Sequence, residues 1–135
     1  MFMKYAQITK YLQEYKSIDL KAYIENHPLS KNPGHDFEVY YKDLNARFMN
    51  DVESLVSNNK ELDGDNYFKH LQEHKIEWET RSMEKAKIEN ADDFFLFSLI
   101  VAAVRTDHFE SGNFCKHVEN GSIAKWLEAL KNLDK

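Results

Sequence analysis

Apolar residues recur at the spacing of an α-helix along most of this chain, and the pattern predicts an all-α fold. A first set near the N-terminus is spaced at i, i+3, i+4 and i+7, which indicates an amphipathic helix over roughly residues 3–16. This set comprises Ile8, Tyr11, Leu12 and Tyr15. A second set follows one helical face for about five turns. It comprises Phe37, Tyr41, Leu44, Phe48, Val52, Leu55 and Val56. No stretch of useful length alternates between apolar and polar residues as a strand does.

The most apolar stretch, from Phe94 to Val104, predicts a central helix over residues 91–105. Asn90 can cap its start, and Arg105 closes its end. A helix that is apolar on nearly every side must be surrounded by the rest of the fold, so we expect this segment to be the most buried one. Its 11 residues fall well short of the roughly 20 that a membrane span requires.

Glycine and proline residues divide the chain into about six or seven helices. The clearest breaks are Pro33-Gly34, Asp63-Gly64, Ser111-Gly112 and Gly121. Ser122 follows the last break and can cap the final helix, whose apolar face is regular. We therefore predict a compact single-domain helical bundle over residues 1–135, with an N-terminal helical segment at residues 1–34 and a core at residues 35–135.

The composition supports a folded domain in a reducing compartment. Apolar residues make up 42% of the 135 residues, and nine Phe, seven Tyr and two Trp are among them, which excludes a disordered chain. A domain of this length can bury roughly two thirds of its unfolded surface, so it needs no disulfide or metal. Cys115 is the only cysteine, and the N-terminus lacks the apolar region of a signal peptide. We therefore expect a cytoplasmic protein without a cofactor.

The net charge of −5 disfavours nucleic acid as a partner. Proteins that bind nucleic acid need clustered cations to neutralise phosphates, and no segment of this chain is strongly basic. Residues 35–64 carry a net charge of −4. Such a segment is either a solvated helix face or a surface for a basic partner.

Two short motifs in the C-terminal third are similar to those of a known family. Within residues 99–133 the chain reads L-I-V-A-A-V-R-T-D-H-F-E-S-G and later G-S-I-A-K-W-L-E-A-L. This pattern resembles a family of small bacterial proteins of unknown function, in which a leucine-rich helix precedes an Arg-x-Asp/Glu-x-Phe-x-x-Gly segment and a Gly-x-Ile-x-x-x-Leu helix. The matching residues are Arg105, Asp107, Phe109 and Gly112, then Gly121, Ile123 and Leu127. The resemblance covers about a quarter of the chain. It implies a helical fold and a bacterial or phage origin, and it carries no known activity.

Charged residues crowd the end of the central helix and form the first candidate site. They are Arg105, Asp107, His108 and Glu110. The functional interpretation is a site for an anion or a carboxylate, in which His108 titrates near neutral pH. The structural interpretation, which we favour, is an ion pair between Arg105 and Asp107 that fixes the turn before Gly112, because an arginine that ends a long apolar run needs a partner.

Two histidines and one cysteine are weaker candidates. His70 and His74 are four residues apart on a predicted helix and could share a metal ion. Leu71 follows His70, so the His-Glu-x-x-His motif of metalloproteases is absent, and no cysteine pair supplies further ligands. We predict no intrinsic metal. Cys115 begins a short helix that could lower its pKa, although a buried structural cysteine is the commoner case.

The N-terminal third holds four tyrosines on short helices. They are Tyr5, Tyr11, Tyr15 and Tyr23. Because the apolar stripes of residues 37–133 can build a core on their own, we expect these rings to cover an edge of that core or to meet another chain. The sequence thus predicts an interface on residues 1–30, formed with a second copy or with another protein.

Two classes of function remain open. The first is a non-enzymatic protein-interaction module, since the chain shows no assembled catalytic set. The alternative is a small-molecule or anion-binding protein, or an enzyme, that uses Arg105, Asp107 and His108. A concave pocket with converging polar groups would favour the second class, and a flat apolar patch would favour the first.

Overall fold

Helices follow the apolar periodicity throughout the part of the chain that the computed structural model describes, residues 4–134. The α-helices are α1 (Ala6–Thr9), α2 (Leu12–Tyr15), α3 (Leu20–Asn26), α4 (Pro33–Tyr40), α5 (Lys42–Asn58), α6 (Tyr67–Glu73), α7 (Thr80–Glu84), α8 (Asp93–Thr106), α9 (Asn113–Glu119) and α10 (Ser122–Leu133). Two 3-10 turns, Lys60–Leu62 and Gly64–Asn66, join α5 to α6. Within residues 4–134 no strand occurs and seven helices have seven residues or more, so the predicted all-α class is confirmed.

Helix α8 is the most buried element, as its apolar sequence predicted. Every side chain from Phe95 to Val104 is buried, and α8 packs against α5, α6, α9 and α10. The helix begins later than predicted because Asp92 caps it instead of Asn90. The Asp92 carboxylate accepts a hydrogen bond from the N–H of Phe95 at 2.9 Å, whereas Asn90 has a left-handed backbone with φ of 66°.

The N-terminal segment contributes to the same core. The predicted helix over residues 3–16 is broken into two single turns, and these turns, α1 and α2, pack against α5 and α10. The backbone N–H groups of Lys4 and Tyr5 donate to the carboxylate of Asp134 at 2.8 and 2.7 Å. The two ends of the described chain are therefore joined by charge-assisted hydrogen bonds.

The start of α10 differs from the prediction. Gly121 ends α9 in the left-handed conformation with φ of 80°, as expected of a residue after a helix. Ser122, predicted to cap α10, is instead its first residue and makes no capping hydrogen bond. Its hydroxyl is buried and has no hydrogen-bond partner within residues 4–134, and the same holds for the ring nitrogens of His117 and Trp126.

A single short helix, α7, forms between residues 76 and 90. Helix α6 ends at Glu73, and Lys75 turns the chain through the left-handed region with φ of 59°. The N–H of Glu77 then donates to the Ser82 hydroxyl at 2.9 Å, which stabilises an extended entry to α7. Trp78 therefore lies on a loop rather than on a helix, and this placement brings it to the surface next to the end of α8.

Candidate functional site

Arg105 lies in the last turn of α8 and pairs with two carboxylates from other elements. Its Nη2 donates to Glu53 Oε1 of α5 at 3.0 Å and to Asp65 Oδ1 at 3.2 Å, and its Nε donates to Glu53 Oε2 at 3.3 Å. Burial lowers the pKa of Arg105, but hydrogen bonds and charges from Glu53 and Asp65 outweigh burial and raise it overall. The predicted pairing with Asp107 is wrong, because side chains two residues apart at a helix end do not face each other.

Asp107 instead fixes the turn that follows α8. Its Oδ1 accepts hydrogen bonds from the N–H of Gly112 at 3.0 Å and from the N–H of Phe114 at 3.2 Å. Gly112 has φ of +87°, a conformation that other residues rarely adopt. Asp107 and Gly112 together hold residues 107–112 in a defined turn. The sequence predicted that Asp107 fixes this turn, but through an ion pair with Arg105.

His108 and Glu110, the remaining predicted residues of this site, line separate clefts. The cleft of His108 has a volume of about 230 Å³ and also includes Asp107. His108 is exposed, and its Nε2 lies 3.8 Å from Glu53 Oε2. Glu110 is also exposed, and its Oε1 lies 3.7 Å from Lys116 Nζ. The arginine charge that an anion site would need is already matched by Glu53 and Asp65. The charged residues at the end of α8 therefore form an ion-pair network and a turn, and they do not form one anion site.

The two candidate metal ligands, His70 and His74, are held apart. His70 Nε2 hydrogen-bonds to Asp63 Oδ2 at 2.8 Å, and this contact is the largest cause of a lowered Asp63 pKa. The Nδ1–H of His74 donates to the carbonyl of His70 at 2.9 Å, and the His74 ring stacks on Phe95 at 3.9 Å. Over residues 4–134 no group of three or more His, Cys, Asp or Glu side chains could hold a metal ion.

Cys115 is a buried residue of α9 and lacks the environment of a reactive thiol. Burial is the main cause that raises the pKa of this thiol to about 12, and Glu119 and Glu38 add to the effect. Reactive cysteines need the opposite, a lowered pKa beside positive charge. The structural role predicted as the commoner case fits this position.

The four tyrosines, predicted to cover an edge of the core or to meet another chain, are buried. Three of their hydroxyls donate to residues of α5 or α8: Tyr5 to Asp93 at 2.8 Å, Tyr11 to Asp51, and Tyr15 to Asn45 at 2.8 Å. Tyr23 stacks on His27 at 4.0 Å. The stripes of residues 37–133 leave space that these aromatic rings fill, so the core is not complete without them.

A different set of aromatic side chains lies at the surface, two of them exposed and two half-buried, and we call it the aromatic ridge. It consists of Tyr67, Phe68, Trp78 and Phe109. Phe109 is 79% exposed and Phe68 is 48% exposed. Trp78 stands at the centre, with its ring centroid 5.3 Å from Tyr67, 6.3 Å from Phe68 and 5.4 Å from Phe109. Contacts at these distances stabilise aromatic pairs, so the four rings form one continuous surface.

The aromatic ridge is held rigidly from beneath. The indole N–H of Trp78 donates to the carbonyl of Ala102 in α8 at 2.9 Å. Phe109 lies in the turn that Asp107 fixes, and the Arg105 guanidinium lies 5.2 Å from the centre of the Tyr67 ring. Trp78, Tyr67 and Phe109 are thus attached to α8, to the ion-pair network at its end and to the turn that follows it, which preorganises the surface for contact.

A cleft of about 290 Å³ opens beside the ridge. Its lining consists of Trp78, Thr106, Phe109, Glu110 and Asn113. The Thr106 hydroxyl already donates to the carbonyl of Ala103 at 2.6 Å. The cleft thus has two aromatic walls and one exposed carboxylate, that of Glu110, at its rim.

A second cleft, of about 380 Å³, separates α4 and α5 from the turn before α9. Its lining includes Asp107 and Cys115. Both are committed, since Asp107 binds two backbone N–H groups and Cys115 is a thiol of raised pKa. Neither residue is therefore available in this cleft as an acid, a base or a nucleophile.

The sequence prediction missed the aromatic ridge, although two signals were present. Phe109 is an aromatic residue in an otherwise polar turn, and Trp78 stands between two glutamates, Glu77 and Glu79. An apolar ring flanked by charged residues on a loop is more often exposed than one on a helical stripe. On α6 only Leu71 is fully buried, and Phe68 is exposed.

Comparison with known proteins found no match to this chain. No protein-family model matches it, no curated protein matches it, and no solved structure matches it. Among the helices of residues 4–134, none combines the length and the apolarity needed to cross a bilayer.

Proposed function

We propose that this chain is a non-enzymatic protein-interaction module and that the aromatic ridge is its contact surface. The exposure of Phe109 carries the proposal, because this ring is 79% exposed on a turn that Asp107 and Gly112 hold in place. Covering one such ring contributes about 2 kcal/mol. Aromatic side chains also dominate the energetics of protein interfaces. A rigid aromatic surface on a small helical domain is what such a module requires.

The alternative, an enzyme or anion-binding protein that uses Arg105, Asp107 and His108, has less support. General acid–base chemistry needs a titratable group within reach of a bound substrate. Arg105 is paired, Asp107 is bound to the backbone, and His108 extends into solvent near Glu53. None of the three lines the ridge cleft. We therefore favour binding over catalysis.

A second surface could mediate self-association, and we call it the hairpin patch. It consists of His27, Leu29 and Tyr40 around the α3–α4 connection, and the buried ring of Tyr23 stacks on His27. Leu29 is 92% exposed and Tyr40 is 66% exposed, and the cleft beside Leu29 has a volume of about 410 Å³. His27 and Leu29 lie within residues 1–30, the region predicted to form an interface, and Tyr40 lies outside it. Sedimentation of wild-type and Leu29→Glu protein tests whether it joins two copies.

Affinity capture from the native cell tests the proposed function with three baits. The baits are the wild-type protein, Phe109→Ala and Tyr40→Ala, and the captured proteins are quantified by mass spectrometry. Tyr40→Ala is the matched control, since it removes another exposed aromatic ring from the hairpin patch. We expect one partner to bind the wild-type and Tyr40→Ala baits and to be lost with Phe109→Ala. Loss with Tyr40→Ala alone would move the contact surface to the hairpin patch.

The cellular setting belongs to the same proposal. A single buried cysteine is compatible with a reducing compartment, and we propose the cytoplasm. A bacterial or phage source follows only from the resemblance of the C-terminal motifs and is proposed on that basis.

A further inference from the structure

We propose that the ridge cleft receives an arginine side chain of the partner protein. This inference rests on the proposed function and assigns the chemistry of the residue that the partner inserts. Three observations carry it: the geometry of the two aromatic walls, the distribution of carboxylates around them, and a guanidinium that the chain itself already places on the same ridge.

The walls of the cleft suit a flat cation. The rings of Trp78 and Phe109 both line the cleft and meet at an angle of 85° with centroids 5.4 Å apart. Aromatic faces attract cations, and tryptophan does so most strongly. The indole N–H of Trp78 is engaged with Ala102, which leaves its ring rather than its donor for the ligand.

The charges around the ridge favour a cation over an anion. Glu110 lines the cleft, and Glu77 and Glu79 flank Trp78 in the chain. Neither Glu77 nor Glu79 has an ion-pair partner within residues 4–134. Glu110 faces Lys116 at 3.7 Å, and both side chains are more than half exposed. Exposed pairs of this kind are weak, so a partner cation can replace Lys116 at low cost.

Arg105 provides the same recognition within the chain. Its guanidinium lies over the Tyr67 ring at 5.2 Å and is held by the carboxylates of Glu53 and Asp65. Tyr67 in turn contacts Trp78 at 5.3 Å. One end of the ridge is thus occupied by an arginine on an aromatic ring beside carboxylates, and the ridge cleft presents aromatic rings and a carboxylate to solvent.

Arginine fits this cleft better than lysine does. A guanidinium is planar, stacks on aromatic rings and is weakly hydrated, whereas an ammonium is compact and holds its water strongly. Glu110 can accept two hydrogen bonds from one guanidinium. The inferred partner segment is therefore one that exposes an arginine, with the acidic surface of this chain guiding the approach.

Nuclear magnetic resonance titration tests the inference with small probes. The ¹⁵N-labelled protein is titrated with N-acetyl-arginine methylamide, with its neutral isostere N-acetyl-citrulline methylamide, and with N-acetyl-norleucine methylamide. The indole N–H signal of Trp78 reports the cleft, and that of Trp126, which is fully buried, is the internal reference. We expect the arginine probe to shift Trp78 and to bind about two- to fivefold more tightly than the citrulline probe.

Variants separate the cleft from the rest of the surface. Phe109→Ala and Glu110→Gln should each weaken the arginine probe by about two- to fivefold, and Tyr40→Ala should leave its affinity unchanged. Added salt should weaken the arginine probe and not the norleucine probe.

Each other outcome identifies which proposal fails. Equal binding of arginine and citrulline, or tighter binding of norleucine, would overturn the arginine assignment and leave the ridge as an apolar contact surface. Absence of binding by all three probes would also overturn the assignment. The proposed function fails separately, when the Phe109→Ala bait captures the same partner as the wild-type bait.

Discussion

At the scale of single residues, Arg105 is held at the edge of the core by partners that are distant in sequence. Glu53 lies 52 residues before it and Asp65 lies 40 residues before it. Both carboxylates are partly exposed, which screens the interaction. Asp107, two residues away, has a different task in the turn before α9. The ion pair and the turn are therefore energetically separate.

A double-mutant cycle tests that separation. Arg105→Ala combined with Glu53→Ala should show a coupling free energy of about 0.5–1 kcal/mol in urea unfolding. The cycle of Arg105→Ala with Asp107→Ala is the control and should show coupling of less than about 0.3 kcal/mol. A larger coupling with Asp107 than with Glu53 would restore the pairing predicted from the sequence.

His117 is the residue whose titration should matter most for stability in mildly acidic solution. It is fully buried against Trp126, and burial lowers its pKa from 6.5 to about 4. The folded protein therefore binds this proton less readily than the unfolded chain does. The free energy of unfolding is therefore undiminished by His117 above pH 6.5, and it falls as the pH decreases from 6.5 to about 4.

The size of the His117 effect can be isolated with His117→Leu. Between pH 7 and about pH 4.5, the wild-type protein should lose about 2–3 kcal/mol more unfolding free energy than the variant does. At pH 7 the variant should be at least as stable, because it removes two buried nitrogens without hydrogen-bond partners. Carboxylates that titrate in this range are common to both proteins and cancel. Parallel pH profiles would refute the assignment.

At the scale of elements, α8 determines the arrangement of the others. Its buried side chains from Phe95 to Val104 contact helices on all sides. The ion-pair network at its end and the carbonyl of Ala102 position the aromatic ridge. A loss of packing in α8 should therefore reduce the stability of the whole fold.

Truncation of α8 side chains measures this contribution. Leu99→Ala and Ile100→Ala should each lower the free energy of unfolding by about 2–5 kcal/mol, because a cavity remains where a buried side chain was removed. Chemical denaturation provides the measurement. Losses below about 1 kcal/mol for both variants would contradict the central position of α8.

The turn α2 and helix α5 are joined by Tyr11, which the sequence assigned to an interface. Its ring is buried beside Phe48 at 5.2 Å, and its hydroxyl donates to Asp51. Tyr11→Glu should therefore destabilise the fold by about 3 kcal/mol or more, since it buries a carboxylate next to another one. Tyr11→Phe is the control and should cost about 1 kcal/mol, the value of one hydrogen bond. A Tyr11→Glu protein of unchanged stability that dissociates from a partner would favour the original interface.

The sequence predicted those elements whose cause is local. The apolar run of α8 has no polar face, so its burial followed from composition alone. The position of Gly121 after α9 followed from the turn chemistry of glycine. The Arg105 partners and the aromatic ridge depend on how α5, α6 and the loop at residue 78 pack on α8. Periodicity cannot tell an exposed aromatic ring such as Phe109 from a buried one such as Phe114.

At the scale of the whole molecule, an acidic helical domain carries two surfaces with exposed apolar side chains, the aromatic ridge and the hairpin patch. The net charge of −5 should speed association with a basic protein and should make that association sensitive to salt. The hairpin patch lies on a different pair of helices, α3 and α4. The two surfaces can therefore be tested independently by single substitutions.

The most direct test of the proposed function is site-specific photocrosslinking in the native cell. A photoreactive phenylalanine analogue replaces Phe109 in one strain and Tyr40 in another, and crosslinked products are identified after irradiation. The account predicts one protein crosslinked from position 109, with an arginine near the crosslinked site, and no crosslink to that protein from position 40. Crosslinks from position 40 alone, or none from position 109, would contradict the assignment of the aromatic ridge as the contact surface.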